Sequence, residues 1–297
     1  MPGNEPVNAA PRPRRSVLYV PASNTRAIDK ARQLPCDAVV LDLEDAVAPE
    51  MKAAARDTAL AALRDGGFGH REIIVRVNGL DTEWGAADLA AVSQCNADAV
   101  LVPKVRTEQD IAEYHQALNS APAPMRLWAM IETARCVLRL DQIAATARSS
   151  RLSCFVMGTN DLAKELRAQL DHRRVPLAAI LSLTVAAARA HELAILDGVF
   201  NAFEDDTGFE AQCRQGLEYG FDGKTLIHPR QIAICNSMFS PEPTMVAWAR
   251  RVKAVFEEPE NALKGAVRLD GAMVERLHLA QAERILALDA AIQAVER

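Results

Sequence analysis

Six carboxylates stand at or just after the ends of short apolar runs. Asp42, Glu44 and Asp45 follow Val39-Val40-Leu41, Glu132 follows Met130-Ile131, Asp161 closes Gly158-Thr159-Asn160-Asp161, and Asp197 follows Ile195-Leu196. Basic and polar groups hold matching places: Arg76 and Asn78 in Val75-Arg76-Val77-Asn78, Lys104 after Val102-Pro103, and His228 before Pro229. Gathered in one small mouth, these carboxylates would outnumber the bases and repel one another. Burying so many charges is costly unless a cation joins them. An all-oxygen donor set favours a hard ion such as Mg²⁺, which takes one or two carboxylates, waters and the substrate's own oxygens. Zinc suits the set less, because His228 is the only histidine at a run end and no cysteine is clustered with it. Arg76 offers a planar fork for a substrate carboxylate or a developing oxyanion. The chemistry expected is that of an oxygen-rich anionic substrate held on Mg²⁺.

A repeated strand–helix pattern would gather these ends. Apolar runs predict strands over 16–20, 38–43, 73–77, 99–102, 127–131, 153–157, 194–197 and 224–227. Stretches of helical period fall between them, over 25–34, 50–64, 84–93, 107–118, 133–147, 176–191 and 209–219, with further helices starting near 161 and 229. Runs that are apolar throughout and alternate with helices are buried parallel strands. Eight of them fit an α/β fold of the closed (β/α)8 TIM-barrel type over 16–240, with an open doubly wound sheet as the alternative. A barrel puts its chemistry at the C-terminal strand ends, where the charged residues fall. Residues 241–297 read as a C-terminal helical arm, with helices over 243–257 and 273–294 and a polar connection over 259–270. The arm is too short for a core of its own and is expected to pack on the barrel or on a neighbouring subunit. Residues 1–15 read as a flexible tail, Pro-rich and without the apolar stretch of a signal peptide.

Composition narrows the classes. With 34 Lys+Arg against 39 Asp+Glu the net charge is −5, which argues against binding a nucleic-acid backbone. No apolar run approaches the ~20 residues of a membrane span. The six cysteines are scattered without C-x-x-C spacing and read as buried reduced thiols of a cytoplasmic protein. A dinucleotide-binding G-x-G-x-x-G and a nucleophile-elbow G-x-S-x-G are both missing, and Gly223-Lys224-Thr225 lacks the first glycine of a phosphate loop, where Glu218 stands.

At the strand ends the chain resembles the citrate lyase β-subunit / malyl-CoA lyase family, CoA-ester lyases of the HpcH/HpaI aldolase–citrate lyase superfamily. The resemblance rests on segments in family order: Arg15-Ser16-Val17-Leu18-Tyr19-Val20-Pro21-Ala22, Leu41-Asp42-Leu43-Glu44-Asp45-Ala46-Val47, Val75-Arg76-Val77-Asn78 and Val102-Pro103-Lys104-Val105. It continues through Met130-Ile131-Glu132-Thr133, Gly158-Thr159-Asn160-Asp161-Leu162 and the stretch from Gly220 to Pro229.

The resemblance implies a TIM barrel, Mg²⁺, a coenzyme A thioester as substrate, and a homotrimer or homohexamer. It implies Glu132 and Asp161 as direct metal ligands, with Glu132 also close to substrate, and Glu44 and Asp45 as holders of metal-bound waters. Arg76 would be the substrate clamp, and Ser23, Arg26 and Lys30 would grip the CoA phosphates. The reaction implied is lysis or formation of a carbon–carbon bond in a β-hydroxyacyl-CoA of the citryl-CoA or malyl-CoA type, giving an acetyl-CoA-type thioester and an oxo acid. In the arm the family's Gly-x-Met-x-Asp is replaced by Gly271-Ala272-Met273-Val274-Glu275. Glu275 takes the place of an acid/base that closes over a neighbour's site, with one more methylene. That departure keeps a second reading open, a hydroxyacyl-CoA thioesterase on the same scaffold in which Glu275 positions water. A third reading is a citrate lyase β-subunit served by a carrier protein.

Overall fold

In the computed structural model, which describes residues 12–296, the apolar runs become β1 (Ser16–Pro21), β2 (Ala38–Asp42), β3 (Glu72–Arg76), β4 (Ala99–Val102), β5 (Arg126–Ile131), β6 (Leu152–Met157), β7 (Ala194–Asp197) and β8 (Gly223–Leu226). They close in sequence order into a parallel barrel, with β8 paired back onto β1. Alternation along each strand divides the core. Val17, Val40, Ile74, Leu101, Trp128 and Val156 belong to one apolar cluster inside the barrel, while the residues between them join a larger cluster with the helices.

The first helices are α1 (Thr25–Ala31), α2 (Lys52–Asp65), α3 (Gly85–Val92) and α4 (Glu108–Ala117). The helix expected over 133–147 is broken into α5 (Ala134–Val137) and α6 (Leu140–Ala145). Then come α7 (Thr159–Leu166), α8 (Ala178–Ala190), α9 (Asp206–Tyr219) and α10 (Gln231–Phe239). Among the described residues no helix is long and apolar enough to cross a membrane.

The expected tail over residues 1–15 falls mainly outside the described residues. Arg14 and Arg15 depart from it. Arg15 is buried, its guanidinium paired with Asp37 at 2.9 Å, and Arg14 pairs with Glu72 at 2.6 Å while lying over the Trp128 ring. These paired charges hold the chain against the N-terminal ends of β2 and β3.

The chain divides into two compact units, one spanning Arg14–Phe239 and the other beginning at Ser240. The second holds α11 (Pro243–Glu257), a hairpin of β9 (Ala266–Leu269) and β10 (Ala272–Glu275), and α12 (Arg276–Val295). This corrects two expectations. The segment expected to open a helix at 273 is a strand, and the unit has an apolar cluster of its own around Val246, Val252, Phe256, Val267, Val274 and Ile285. The cause is the turn Asp270-Gly271, whose φ values of 53° and 83° suit a tight two-residue hairpin loop. The hairpin turns Met273 outward and Val274 inward, as strand alternation requires.

Candidate active site

The C-terminal rim of the barrel surrounds a cavity of about 280 Å³ whose lining includes Tyr19, Asp42, Asp45, Arg76, Glu132 and Asp161. Register brings the first of these together, since Asp42 of β2 lies opposite Arg76 of β3. Asp42 also organises the loop that follows it, accepting the backbone N–H groups of Glu44 and Ala46 at 2.9 and 3.2 Å. The same loop is held from below by Lys52, whose ammonium donates to the carbonyls of Leu43 and Glu44 at 2.8 and 2.6 Å. Asn78 donates to the Leu43 carbonyl at 3.0 Å. Asn78, expected among the polar groups at the rim, and Lys52, which the sequence does not point to, both hold this loop in place.

Arg76 does not present an open fork. Its Nε and Nη2 donate to the two oxygens of Asp42 at 2.7 and 2.6 Å, a bidentate pair inside the protein. Only Nη1 turns toward the cavity side, 2.8 Å from Glu44 Oε2 and 3.5 Å from Asp45 Oδ2. The guanidinium lies over the Tyr19 ring, 4.8 Å from its centre. Tyr19 was overlooked as a site residue, although its alternation with Val17 along β1 places it inside the barrel.

Glu44 is nearly buried, and burial pushes its carboxyl up to about 7, although Arg76 favours the charged form. Its Oε2 has a charged neighbour in Arg76 but no hydrogen bond, and the Tyr19 hydroxyl is likewise buried without a partner. Glu132 at the end of β5 is almost wholly buried, which raises its pKa. Its Oε1 accepts the Lys104 backbone N–H at 2.7 Å. Gly158 makes room for Glu132: a Cβ there would lie 2.4 Å from Glu132 Oε2. Asp161 comes from the first turn of α7, whose N-terminus has no side-chain cap and lines the cavity, a setting that favours an anion.

The structure thus brings Arg76, Glu44, Asp45, Glu132 and Asp161 to one mouth. It also brings Lys104, whose ammonium contacts Asp161 and lies 3.4 Å from Glu132 and 3.9 Å from Glu44. An ammonium seated among three carboxylates marks where a cation is electrostatically wanted. Among the described residues no His, Cys, Asp and Glu trio forms a ready metal cage. The donors that surround the ammonium are carboxylate oxygens of Glu44, Glu132 and Asp161, and such hard oxygen donors fit Mg²⁺, which takes one or two carboxylates plus water and substrate oxygens.

Other candidates lie elsewhere. Asp197 leaves the rim set: it is fully buried at the end of β7, 2.7 Å from Arg174 and 2.8 Å from Lys224. Ser23, just before α1, Arg26 in its first turn and Lys30 in its last turn are exposed and do not line the cavity. Glu275, in the other unit, caps α12: its side chain accepts the backbone N–H of His278, and its own N–H donates to His278 Nδ1 at 2.9 Å.

Comparison with known proteins places this arrangement. The family described as HpcH/HpaI aldolase/citrate lyase matches residues 15–229. A (3S)-malyl-CoA thioesterase of Cereibacter sphaeroides is 49% identical over 282 residues, covering 95% of this chain and 96% of the relative. An L-malyl-CoA/beta-methylmalyl-CoA lyase of the same organism is 31% identical over 301 residues, covering 93% and 94%. Among solved structures, the protein CitE of Mycobacterium tuberculosis in complex with magnesium, acetoacetate and coenzyme A superposes with a TM-score of 0.72. It is 30% identical and covers 93% of this chain and 97% of its own.

Proposed function

The chain belongs to the HpcH/HpaI aldolase/citrate lyase family, and from that premise we propose that it is a Mg²⁺-dependent hydrolase of a hydroxyacyl-CoA thioester of the malyl-CoA type. The observation that carries this reading is the 49% identity to a malyl-CoA thioesterase across 95% of the chain, against 31% to a malyl-CoA lyase. It favours the second of the sequence readings over carbon–carbon lysis.

Glu132 and Asp161 would hold the metal, and Glu44 and Asp45 its waters. When bound, Mg²⁺ would polarise a substrate oxygen and anchor the neighbouring carboxylate. Arg76 Nη1 donates to the thioester oxygen as it gains charge, and the pairing with Asp42 keeps that N–H aimed before the substrate arrives. Glu275, delivered from a neighbouring copy in a trimer or hexamer, takes a proton from the attacking water. The water oxygen bonds to the thioester carbon, the C–S bond breaks, the leaving thiolate takes up the proton that Glu275 removed from water, and the products are a hydroxy diacid and CoA thiol. Ser23, Arg26 and Lys30 lie outside the cavity and are assigned to the CoA phosphates at its edge.

Product analysis tests the reading. With malyl-CoA and Mg²⁺, the protein is expected to release malate and free CoA thiol, and Glu275→Gln to lose most of that release while still binding Mg²⁺. Release of acetyl-CoA and a 2-oxo acid instead would return the lyase reading. Full hydrolysis by the Gln variant would remove Glu275 from the mechanism.

A further inference from the structure

Lys104 follows β4 with φ at 53°, a left-handed conformation that an L side chain adopts only when its surroundings hold it there. Two contacts restrain it. Its N–H donates to Glu132, and its ammonium reaches Asp161, with Glu132 and Glu44 beyond. These are the carboxylates assigned above to the metal and its waters. Two cations of different charge therefore have claims on one set of oxygens. They cannot share it closely, because like charges a few ångströms apart repel strongly where water is sparse.

We propose that Lys104 is the internal counter-ion of the metal site: its ammonium neutralises the carboxylates before Mg²⁺ arrives and yields them to it by swinging into the adjoining cleft. The proposal rests on the metal part of the function above and is independent of the thioester step. The cleft exists beside the mouth, a space of about 120 Å³ lined by Lys104 itself, Asp81, Asp110, Glu113 and Tyr114. Asp110 is already committed to the α4 cap, accepting the N–H groups of Arg106 and Thr107 at 2.7 and 2.8 Å. Asp81 and Glu113 are placed to receive the ammonium, although Glu113 Oε1 already accepts a long hydrogen bond from Gln109 at 3.3 Å, and Arg106 on the same wall is the rival cation. The lysine stem already borders this space, so rotation about its own bonds moves the charge without moving the backbone. Metal affinity then contains the work of displacing Lys104, and the metal-free mouth is spared the repulsion of unpaired carboxylates.

The experiment is a calorimetric titration of the full-length protein with magnesium chloride, without substrate, alongside thermal melts in chelator. Lys104→Met keeps most of the stem and removes the charge. Its Mg²⁺ binding is expected to be on the order of tenfold tighter than wild type, because the metal no longer has to displace an ammonium. Its melting temperature should fall in chelator and return toward wild type at saturating Mg²⁺. The paired change Asp81→Asn with Glu113→Gln should weaken Mg²⁺ binding severalfold when Lys104 is present and leave it unchanged in the Met background. A merely structural role for Asp81 and Glu113 would show equally in both backgrounds and would overturn the receiving cleft. Equal or weaker Mg²⁺ binding by Lys104→Met overturns the counter-ion itself. Should the Met variant fail to fold, Lys104→Gln carries the same titration. If neither wild type nor variant binds Mg²⁺, the metal assignment falls, a result separate from the failure of Lys104.

Discussion

Two charged clusters sit near the ends of the barrel strands, and they are built on opposite plans. The mouth gathers Asp42, Glu44, Asp45, Glu132 and Asp161 against two cations, Arg76 and Lys104. Around β7 and β8 the balance is reversed, with Asp197 alone against Arg174 and Lys224. Every donor of the second cluster is engaged: Lys224 also binds the Gly198 carbonyl and Gln212 at 2.5 and 2.8 Å, and Arg174 binds Gln215. The mouth instead keeps a Tyr19 hydroxyl without a partner and a Glu44 Oε2 that has only its charged neighbour Arg76 and no hydrogen bond. A sealed network of this kind fixes a strand end, and an under-neutralised one facing a cavity awaits a ligand. The pKa directions follow the same division. At Asp197 burial opposes ionisation, yet Lys224 and Arg174 outweigh it and hold the carboxyl low. At Glu44 burial wins over Arg76.

The contrast is broken most sharply by truncating one acid in each cluster. Glu132→Ala is expected to lower Mg²⁺-dependent turnover by at least about a thousandfold with the fold intact, since it removes an assigned metal ligand. Asp197→Ala leaves two cations buried without a partner and is expected to destabilise the protein by about 3–5 kcal/mol. Denaturant melts and turnover assays on both proteins check the pair. A Glu132 variant active in excess chelator, or an Asp197 variant of normal stability, would erase the distinction. Arg76→Lys comes next. An ammonium cannot hold both oxygens of Asp42 and also point at substrate, so kcat/KM should fall by about a hundredfold or more. A Lys variant with near wild-type kcat/KM would make Arg76 structural, like Arg174.

The two clusters were not equally legible in the sequence. All eight strands could be placed to within a residue or so, because buried parallel strands are apolar throughout and end abruptly in charge. The rim acids follow from that placement, and so Asp42, Glu44, Asp45, Glu132 and Asp161 were legible. Asp197 was placed with them wrongly, because its neutralising partners come from afar: Arg174 lies ahead of α8 and Lys224 in β8. Pairing across such separations has no local signature. The same holds for Arg76, whose fork is taken by Asp42, 34 residues away. The hairpin in the second unit was legible but misread. Asp270-Gly271 between alternating segments is a hairpin signal, and helical spacing of Met273 and Leu277 masked it. In the structure both side chains are exposed, so their spacing reflects no buried face.

A further effect separates the clusters by sign. Glu44 titrates near 7 in the folded protein, above its ordinary carboxyl range. A carboxyl raised in this way keeps its proton longer in the folded chain than in the unfolded one. Its contribution to stability is complete below the unfolded pKa of ~4.3 and is lost as pH rises toward 7, by roughly 4 kcal/mol at most. Asp197 has the opposite sign. Its folded pKa lies below the ordinary value, so its contribution is present above pH ~4 and is lost as pH falls through the folded value. The metal-free protein should therefore weaken on both sides of a mildly acidic window, with the mouth responsible for the neutral limb and the buried cluster for the acid limb. Mg²⁺ favours ionised carboxylates and should flatten the neutral limb alone. Urea melts across this range, in chelator and in saturating Mg²⁺, read both limbs. Burial raises Glu132 in the same direction, so Glu44→Gln should make the neutral limb shallower in chelator, and Glu44→Gln with Glu132→Gln should flatten it, while the acid limb stays in place. A neutral limb as steep in the double variant as in wild type would show that the mouth stores no such repulsion and that the two clusters differ in composition alone.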